Sequence, residues 1–338
     1  MMRETLTNDE TRGVLIASGS AHPALVNEIA HSIGTEVGAI THKEHPNSEL
    51  YVRYQDSVRG KHVFIVQPHI KNNGRSVNDA IMEQCLLTDA ARSSSAREIT
   101  VVVPYFAYSR QDRKSKGREP IGTRVVIDQL ASAGADRIVT VDMHSSQSQA
   151  IFRGPFDHLT AQPLLRDAMR KQIAGCTLAE CIVVAPDAGA AKMAEQHQAG
   201  LKTGMFIMSK FRDVEDSQRI KRNQTFPEAD GKVCMLFDDM VDTAGTLVSA
   251  AEALKNSGAT KVFVAATHGV LSDPALARLA DAPIDRILVT DTFTTVEAES
   301  ALGDRLEVVS VAPTIGRAIL EIVRDGSVSE IFSDQNHR

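Results

Sequence analysis

Tryptophan is absent from this chain of 338 residues, and aromatic residues make up only 4% of it. A hydrophobic core must therefore be built mainly from Val, Ile, Leu and Ala, in a chain with 43% hydrophobic residues. Aliphatic cores of this kind favour parallel strands that are covered by helices on both faces. The chain is also longer than one typical domain, and its length accommodates two.

Cysteine is scarce as well, and the four cysteines form no Cys-x-x-Cys motif. Three of them lie in apolar segments, which indicates buried free thiols in a reducing compartment, so we expect a cytoplasmic protein. The polar N-terminal stretch lacks the apolar core of a signal peptide. No apolar run approaches the ~18 residues that span a membrane, so no membrane partner is predicted.

A surplus of positive charge is also missing. Lysine and arginine number 37 against 43 aspartates and glutamates, which gives a formal net charge of −6. A protein without a broad basic surface is not expected to bind nucleic acid or an anionic membrane. An anionic ligand would have to be held by local groups.

Short runs rich in Val and Ile alternate with helical patterns along the chain. This alternation predicts right-handed βαβ units, and hence an α/β fold with mainly parallel sheets flanked by helices. The predicted strands lie near 13–18, 37–41, 61–67, 99–104, 137–142, 181–186, 203–208, 233–238, 261–266, 286–290 and 306–310. The predicted helices lie near 22–33, 77–93, 122–133, 162–173, 188–199, 244–257 and 314–324.

An internal repeat divides the chain. The strand–helix–strand pattern that begins at 59–68 and ends at 96–106 recurs from 230–239 to 259–269. We therefore predict two similar domains, residues 1–155 and 156–338. Only the second copy carries an acidic insertion after its first strand, which marks that insertion as a site.

The insertion, DDMVDTAGT, follows a predicted parallel strand, where α/β folds bind their ligands. Backbone N–H groups, threonine hydroxyls and a helix dipole suit a phosphate dianion, and the two adjacent acids can accept hydrogen bonds from sugar hydroxyls. The alternative is an acidic turn with a helix N-cap. The residues predicted to bind a phosphorylated sugar are Asp238, Asp239, Asp242, Thr243, Ala244, Gly245 and Thr246.

The same segment resembles the ribose-5-phosphate loop of type I phosphoribosyltransferases, and residues 12–335 resemble the ribose-phosphate pyrophosphokinases, or PRPP synthetases. The resemblance implies two phosphoribosyltransferase-like domains. It also implies Mg²⁺-dependent transfer of the β,γ-diphosphoryl group of ATP to the C1 hydroxyl of D-ribose 5-phosphate. The products would be AMP and 5-phosphoribosyl 1-diphosphate, for nucleotide, histidine and tryptophan biosynthesis. The family implies a homohexamer built from dimers.

A basic loop at 104–124 is similar to the ATP loop of that family, although such a loop can also be a solvated surface segment. A second segment, 44–60, resembles the family's contact with the adenine of a neighbouring subunit. The resemblance assigns ATP binding to Arg110, Gln111, Asp112, His45, Asn47 and Glu49. It assigns a regulatory phosphate to Ser57, Arg59 and Arg118.

Two further strand ends carry residues that match metal ligands of the family, His144 and Asp187. A polar tract at 207–222 is similar to the family's catalytic loop, which implies catalytic roles for Lys210 and Arg212. The chain departs from the family pattern at His45 (usually Phe), Ala190 (usually Gly), Met193 (usually Arg) and Ser209 (usually His).

Two rival functions stay open at this point. A phosphoribosyltransferase that consumes the diphosphate would share the sugar loop, but it would need no ATP loop. A non-catalytic regulatory relative would bind the true enzyme, and the departures from the family pattern are compatible with it.

Overall fold

The structure, a computed structural model, describes residues 5–72, 74–208 and 225–332. The described residues form two compact units, the first within the ranges Met1–Thr160 and Val311–Arg338 and the second within the range Ala161–Ser310. The predicted division at 155/156 assigns the C-terminal segment to the second domain, whereas in the structure this segment packs with the first unit.

The strands are β1 (Val14–Ser18), β2 (Ile40–Glu44), β3 (Leu50–Tyr54), β4 (His62–Val66), β5 (Glu98–Val103), β6 (Arg137–Val141), β7 (Phe156–Leu159), β8 (Cys181–Ala185), β9 (Gly204–Ile207), β10 (Val233–Val241), β11 (Lys261–Gly269), β12 (Arg286–Thr290) and β13 (Leu306–Val309). The α-helices are α1 (Asn8–Gly13), α2 (Pro23–Ser32), α3 (Val77–Ser93), α4 (Gly122–Ala133), α5 (Gln162–Gln172), α6 (Ala191–Leu201), α7 (Gly245–Asn256), α8 (Ala275–Asp281), α9 (Val296–Leu302) and α10 (Ala312–Val323). Across the described ranges, every helix is too short or too polar to cross a membrane.

The first unit is built on a parallel sheet in the order β1-β4-β5-β6-β7. A separate antiparallel hairpin, β2–β3, replaces the single strand predicted near 37–41. The alternation of half-buried and exposed residues along β3 suits a hairpin that covers the core with one face only. Its inner residues Ile40, Val52 and Tyr54 pack against the core beneath α3.

The second unit contains a parallel sheet in the order β13-β12-β11-β10-β8-β9. Successive residues of β10 point to opposite faces, with Leu236 in one hydrophobic cluster and Met235 and Phe237 in another. Helix α7 covers the first of these faces and α5 the second. The predicted α/β class with mainly parallel sheets flanked by helices is confirmed.

The predicted repeat has a structural counterpart in the two sheets. Strands β4 and β5 are parallel neighbours joined through α3, and β10 and β11 are parallel neighbours joined through α7. Each pair stands next to the centre of its own sheet. The repeat therefore describes the same supersecondary unit in both parts of the chain.

Helix α10 joins the first unit because its apolar face packs on α2. Gly316 lies at this contact, where an added Cβ would be 2.3 Å from Ser32 Oγ and 2.9 Å from Ile33 Cγ2. An ion pair adds to the packing, with Arg324 Nε 2.8 Å from Glu10 Oε1. The hydrogen bond from Arg324 is the main reason why the pKa of Glu10 falls to about 2.

Replacing Gly316 by alanine should therefore destabilise the first unit, although alanine is the better helix former. Two packed helices would have to separate, and overpacking of this kind costs about 1–3 kcal/mol. Chemical denaturation measures the loss, and hydrogen exchange should locate it in α2 and α10. Gly13→Ala is the matched control, because nothing lies within 4 Å of a Cβ there. Equal stability of the two variants would contradict the tight α2–α10 contact.

Candidate functional site

The acidic segment of the second unit lies at the carboxyl end of β10. The sequence predicts that the strand ends at 238, but β10 continues to Val241 and pairs with β11 along this extension. Asp238 is in register with Ala266, so both Asp238 and Asp239 belong to the strand. Both carboxylates are half-buried. Their backbone is fixed by the sheet, which sets the direction of the two side chains.

The turn after β10 contains a left-handed residue, Ala244, with φ of 59°. The neighbouring Gly245 is not a tight position, because a Cβ there would meet only Arg278 Nη1 at 3.5 Å, an ordinary contact. The strained position is thus Ala244, which is buried at the N-cap of α7, with Thr243 and Thr246 exposed on either side. Strain of this kind concentrates at ligand sites.

Arg278 on α8 contacts this turn, and sequence reasoning missed it. Its Nη1 donates a hydrogen bond of 2.9 Å to the carbonyl of Thr243. The guanidinium therefore places a positive charge beside the N-terminus of α7, where an anion is favoured electrostatically. A single arginine in a short helix carries no sequence signal for this role, because the contact depends on how α8 packs on α7.

Three carboxylates converge at the ends of two neighbouring strands. Strands β8 and β10 are parallel neighbours, so Asp187 after β8 lies at the same sheet edge as Asp238 and Asp239. Burial, with Asp239 and then Asp187 as the nearby negative charges, raises the pKa of Asp238 to about 7. The cluster is thus electrostatically unfavourable without a cation or a hydrogen-bond donor.

This carboxylate cluster suits a hard divalent cation that also binds a phosphorylated substrate. Within residues 5–72, 74–208 and 225–332, no group of three or more His, Cys, Asp or Glu side chains is arranged to hold a metal ion by itself. Mg²⁺ commonly takes only one or two carboxylates and completes its shell with water and phosphate oxygens. The residues present therefore fit such an ion.

The loop after β8 forms a short 3-10 turn, in which Asp187 Oδ1 accepts a hydrogen bond of 3.2 Å from the backbone N–H of Ala190. Two departures from the family pattern lie here. Ala190 and Met193 both pack against the hydrophobic cluster between β8 and α5, so their side chains face the core. Met193 thereby fills apolar space from the first turn of α6.

In the first unit, the basic loop leaves β5 and the segment with His144 leaves the neighbouring strand β6. Arg110 and Gln111 are exposed, and Asp112 lines a cavity of about 590 Å³ together with Arg113. The cavity is also lined by residues of α4 and of the segment 145–153. The structure thus brings these two predicted segments to one edge of the first sheet.

The predicted adenine segment forms the turn of the β2–β3 hairpin. The backbone N–H of His45 donates to the carbonyl of Glu49 at 2.8 Å, and Asn47 Oδ1 accepts from the N–H of Glu49 at 3.3 Å. All three side chains are exposed, and the ring of His45 stands edge-on to Tyr51 at 6.2 Å. The turn can therefore offer the His45 ring to a ligand.

Ser57 and Arg59 follow β3, whereas Arg118 belongs to the loop after β5. All three side chains are exposed, and Arg59 Nη1 reaches Ser95 Oγ at 3.5 Å. Ser209, Lys210 and Arg212 lie outside the residues that the structure describes.

The sequence model for the N-terminal domain of ribose phosphate pyrophosphokinase matches residues 14–134, and the phosphoribosyl synthetase-associated domain matches residues 224–333. A ribose-phosphate pyrophosphokinase of Streptomyces avermitilis is 42% identical over 98% of this chain and 100% of its own length. The chain belongs to the ribose-phosphate pyrophosphokinase family.

Other members of the family agree. The ribose-phosphate pyrophosphokinase of Bifidobacterium longum is 42% identical over 98% of this chain and 96% of that protein. The crystal structure of phosphoribosylpyrophosphate synthetase from Mycobacterium smegmatis matches with a TM-score of 0.84 at 38% identity, covering 93% of this chain and all of that one. The predicted family and the two-domain phosphoribosyltransferase-like fold are confirmed, and the chain is an enzyme of the pyrophosphokinase class.

The carboxylate cluster of this pyrophosphokinase predicts an unusual pH dependence of stability. Because the folded-state pKa of Asp238 lies above the ordinary value of 3.8, the folded chain binds the proton more tightly than the unfolded chain. The stabilisation of the folded chain by this proton is complete below pH ~4, and it is lost as the pH rises toward ~7. In buffer with a metal chelator, Asp238→Asn should therefore melt at a higher temperature than the wild type above pH 7, with the difference disappearing toward pH 4.

Thermal unfolding at several pH values checks this prediction. Asp281→Asn, an exposed aspartate at the end of α8 in the same unit, serves as the control and should show no such gain. A lower melting temperature of Asp238→Asn above pH 7 would mean that the cluster is stabilising in the metal-free protein.

Proposed function

We propose that this enzyme transfers the β,γ-diphosphoryl group of ATP to the C1 hydroxyl of D-ribose 5-phosphate, giving AMP and 5-phosphoribosyl 1-diphosphate. The hydroxyl oxygen forms a bond to the β-phosphorus, the bond from the β-phosphorus to the bridging oxygen of AMP breaks, and the hydroxyl proton is released. The observation that carries the proposal is the β10–α7 turn, where two carboxylates, a strained helix start and a neighbouring guanidinium lie together.

The turn suits ribose 5-phosphate because its two ends differ in charge. The N–H groups at the start of α7 and the hydroxyls of Thr243 and Thr246 would bind the 5-phosphate, which the helix dipole and Arg278 also favour. The half-buried carboxylates of Asp238 and Asp239 would accept hydrogen bonds from the ribose hydroxyls. Asp242, between these groups, would help to orient the sugar.

ATP would be held by the loops of the first unit. Arg110 can bind phosphate oxygens with two parallel hydrogen bonds, and Gln111 and Asp112 stand beside it on the exposed loop. The turn with His45, Asn47 and Glu49 would contact the adenine. Several side-chain contacts of this kind would align the two substrates, and such alignment is a main requirement of phosphoryl transfer.

Mg²⁺ is the metal that we propose, and Asp187 of the second unit and His144 of the first unit are each a candidate ligand. When bound, it neutralises charge on the phosphate oxygens of ATP. Lys210 and Arg212 would offset the charge that develops on the transferred group.

The family relationship also motivates three proposals about cellular role, assembly and regulation. The enzyme would act in the cytoplasm for nucleotide, histidine and tryptophan biosynthesis. It would assemble as a homohexamer of dimers, so that the turn at His45 reaches the adenine of a neighbouring subunit. Ser57, Arg59 and Arg118 would bind a regulatory phosphate.

The direct test is product analysis with ATP, ribose 5-phosphate and Mg²⁺. AMP and 5-phosphoribosyl 1-diphosphate should form in equal amounts, and ATP labelled at the β-phosphorus should transfer the label to the sugar product. Formation of ADP with a singly phosphorylated C1 would contradict diphosphoryl transfer. No product at all would favour the non-catalytic relative.

Asp242→Ala and Thr246→Val should each raise the KM for ribose 5-phosphate while the KM for ATP stays near the wild-type value. Each change removes a group from the sugar turn and leaves the loops of the first unit intact. A charge-assisted contact contributes about 1.5–3 kcal/mol, which corresponds to roughly 10- to 150-fold in binding. Thr295→Val, at the start of α9, is the control. Equal increases in both KM values would count against the assignment of this turn.

Arg278→Gln should raise the same KM by roughly 2- to 10-fold, because an exposed hydrogen-bonded contact is worth about 0.5–1.5 kcal/mol. Arg278→Lys keeps the charge and should lose less. Steady-state kinetics provide the measurement. Arg305→Gln is the matched control, since Arg305 also donates to backbone carbonyls, but to those of Ala280, Ala282 and Ile284. A similar KM in Arg278→Gln and Arg305→Gln would remove Arg278 from the sugar site.

A further inference from the structure

Glu83 on α3 is a carboxylate buried inside the first unit, with 1% of the residue exposed. Its Oε2 accepts hydrogen bonds from Ser20 N and Ser20 Oγ, at 2.8 and 2.7 Å, and from Gln67 Nε2 at 2.6 Å. Burial by itself would raise the pKa of Glu83, but hydrogen bonds from His42 and Ser20 outweigh it and lower the pKa to about 2. Glu83 is therefore a negative charge with fixed partners at neutral pH.

The other oxygen of Glu83 connects this charge to the β2–β3 hairpin. Oε1 lies 3.0 Å from His42 Nδ1 and 3.1 Å from Arg75 Nη1. Arg75 also donates to Ser20 Oγ at 2.7 Å, and its Nε is 3.4 Å from Glu44 Oε2. We call His42, Glu44, Arg75 and Glu83 the Glu83 network. His42 and Glu44 are alternate residues of β2, so the network holds one face of that strand.

The hairpin depends on side chains because it forms a two-stranded sheet of its own. An isolated hairpin is marginally stable in water. Tyr54 at the far end of β3 is anchored to α3, where its hydroxyl donates to the carbonyl of Leu87 at 3.0 Å. Near the turn, by contrast, a cavity of about 350 Å³ is lined by Glu44, Gln67 and Arg75. The Arg75–Glu44 pair thus stands at the wall of a cavity, where apolar packing is incomplete.

The network ends directly at the turn. Glu44 precedes His45, and the turn itself is closed by the hydrogen bond from the N–H of His45 to the carbonyl of Glu49 at 2.8 Å. A shift of Glu44 would therefore move the backbone that carries His45. We propose that Glu83 and Arg75 are positioning residues for ATP, which fix the turn at residues 45–49 through His42 and Glu44. This inference rests on the proposed function, in which that turn contacts adenine.

The experiment compares substitutions along the network in the full-length enzyme. Arg75→Met and Glu44→Gln remove the pair nearest the turn, and Glu83→Gln removes the central charge with little change of shape. We expect Arg75→Met to raise the KM for ATP about 10-fold, the size of one charge-assisted contact. The kcat and the KM for ribose 5-phosphate should stay within twofold of the wild type. Arg75→Lys should restore only part of the ATP affinity.

Arg92→Met is the matched control, because Arg92 forms a partly exposed ion pair with Asp136 elsewhere in the same unit. It should leave both KM values unchanged. A double variant adds a stricter test: in a His45→Ala background, Arg75→Met should have little further effect on the KM for ATP, because both changes act on one contact. Melting temperatures are measured for every variant. If Glu83→Gln does not fold, Arg75→Met and Glu44→Gln carry the test.

The outcomes separate this inference from the proposed function. If His45→Ala and Glu49→Ala raise the KM for ATP but Arg75→Met and Glu44→Gln do not, the positioning role is wrong and the adenine turn stands. If no turn variant changes the KM for ATP, the adenine role and the positioning role are both overturned. If Arg75→Met changes kcat and both KM values together, the network only supports the fold and the inference fails.

Discussion

The parallel register of the two sheets is the constraint on which the described sites depend. In a parallel sheet, all carboxyl ends meet at one edge, so residues that are far apart in sequence become neighbours there. In the second unit this places Asp187 after β8 beside Asp238 and Asp239 on β10. In the first unit it places the loop after β5 beside the segment after β6. The buried aliphatic strands hold this register firmly, and they thereby fix the positions at which the loops begin.

The turn between β10 and α7 is locally unfavourable in two ways. Ala244 occupies the left-handed region, which costs of order 1–3 kcal/mol. Asp238 is partly desolvated near two other carboxylates, which raises its pKa. A fold selected only for stability would avoid both features. The proposed ligand, which brings hydroxyl donors, a phosphate and a cation, would offset this cost on binding.

Side chains from distant parts of the sequence contact the loops at the candidate sites. Arg278 reaches the turn before α7 from a short helix, and Arg75, just before α3, pairs with Glu44 beside the hairpin turn. The hairpin illustrates why such support is needed, since it lies outside the parallel sheet and borders a cavity. Backbone pairing sets the general position of each loop, and a few charged side chains set its detailed geometry.

The α/β class, the repeat and most long elements were predictable from sequence, because buried strands and amphipathic helices leave periodic local patterns. The loop motifs could be recognised in the sequence because the residues of each motif are contiguous, and their roles in binding stay predictions. The short helices α1, α8 and α9 and the strands β3 and β7 escaped prediction, since each contains only four to seven residues.

What the sequence by itself determined is therefore the fold class, most of the long elements and the identity of the loops that follow them. The tertiary structure alone decided that α10 packs on α2, where Gly316 allows the helices to approach, and that β10 extends through both aspartates. It also decided that Arg278 and Glu83 support their respective turns. These outcomes depend on contacts between distant parts of the chain, and a contact of that kind leaves no pattern in the residues on either side of it.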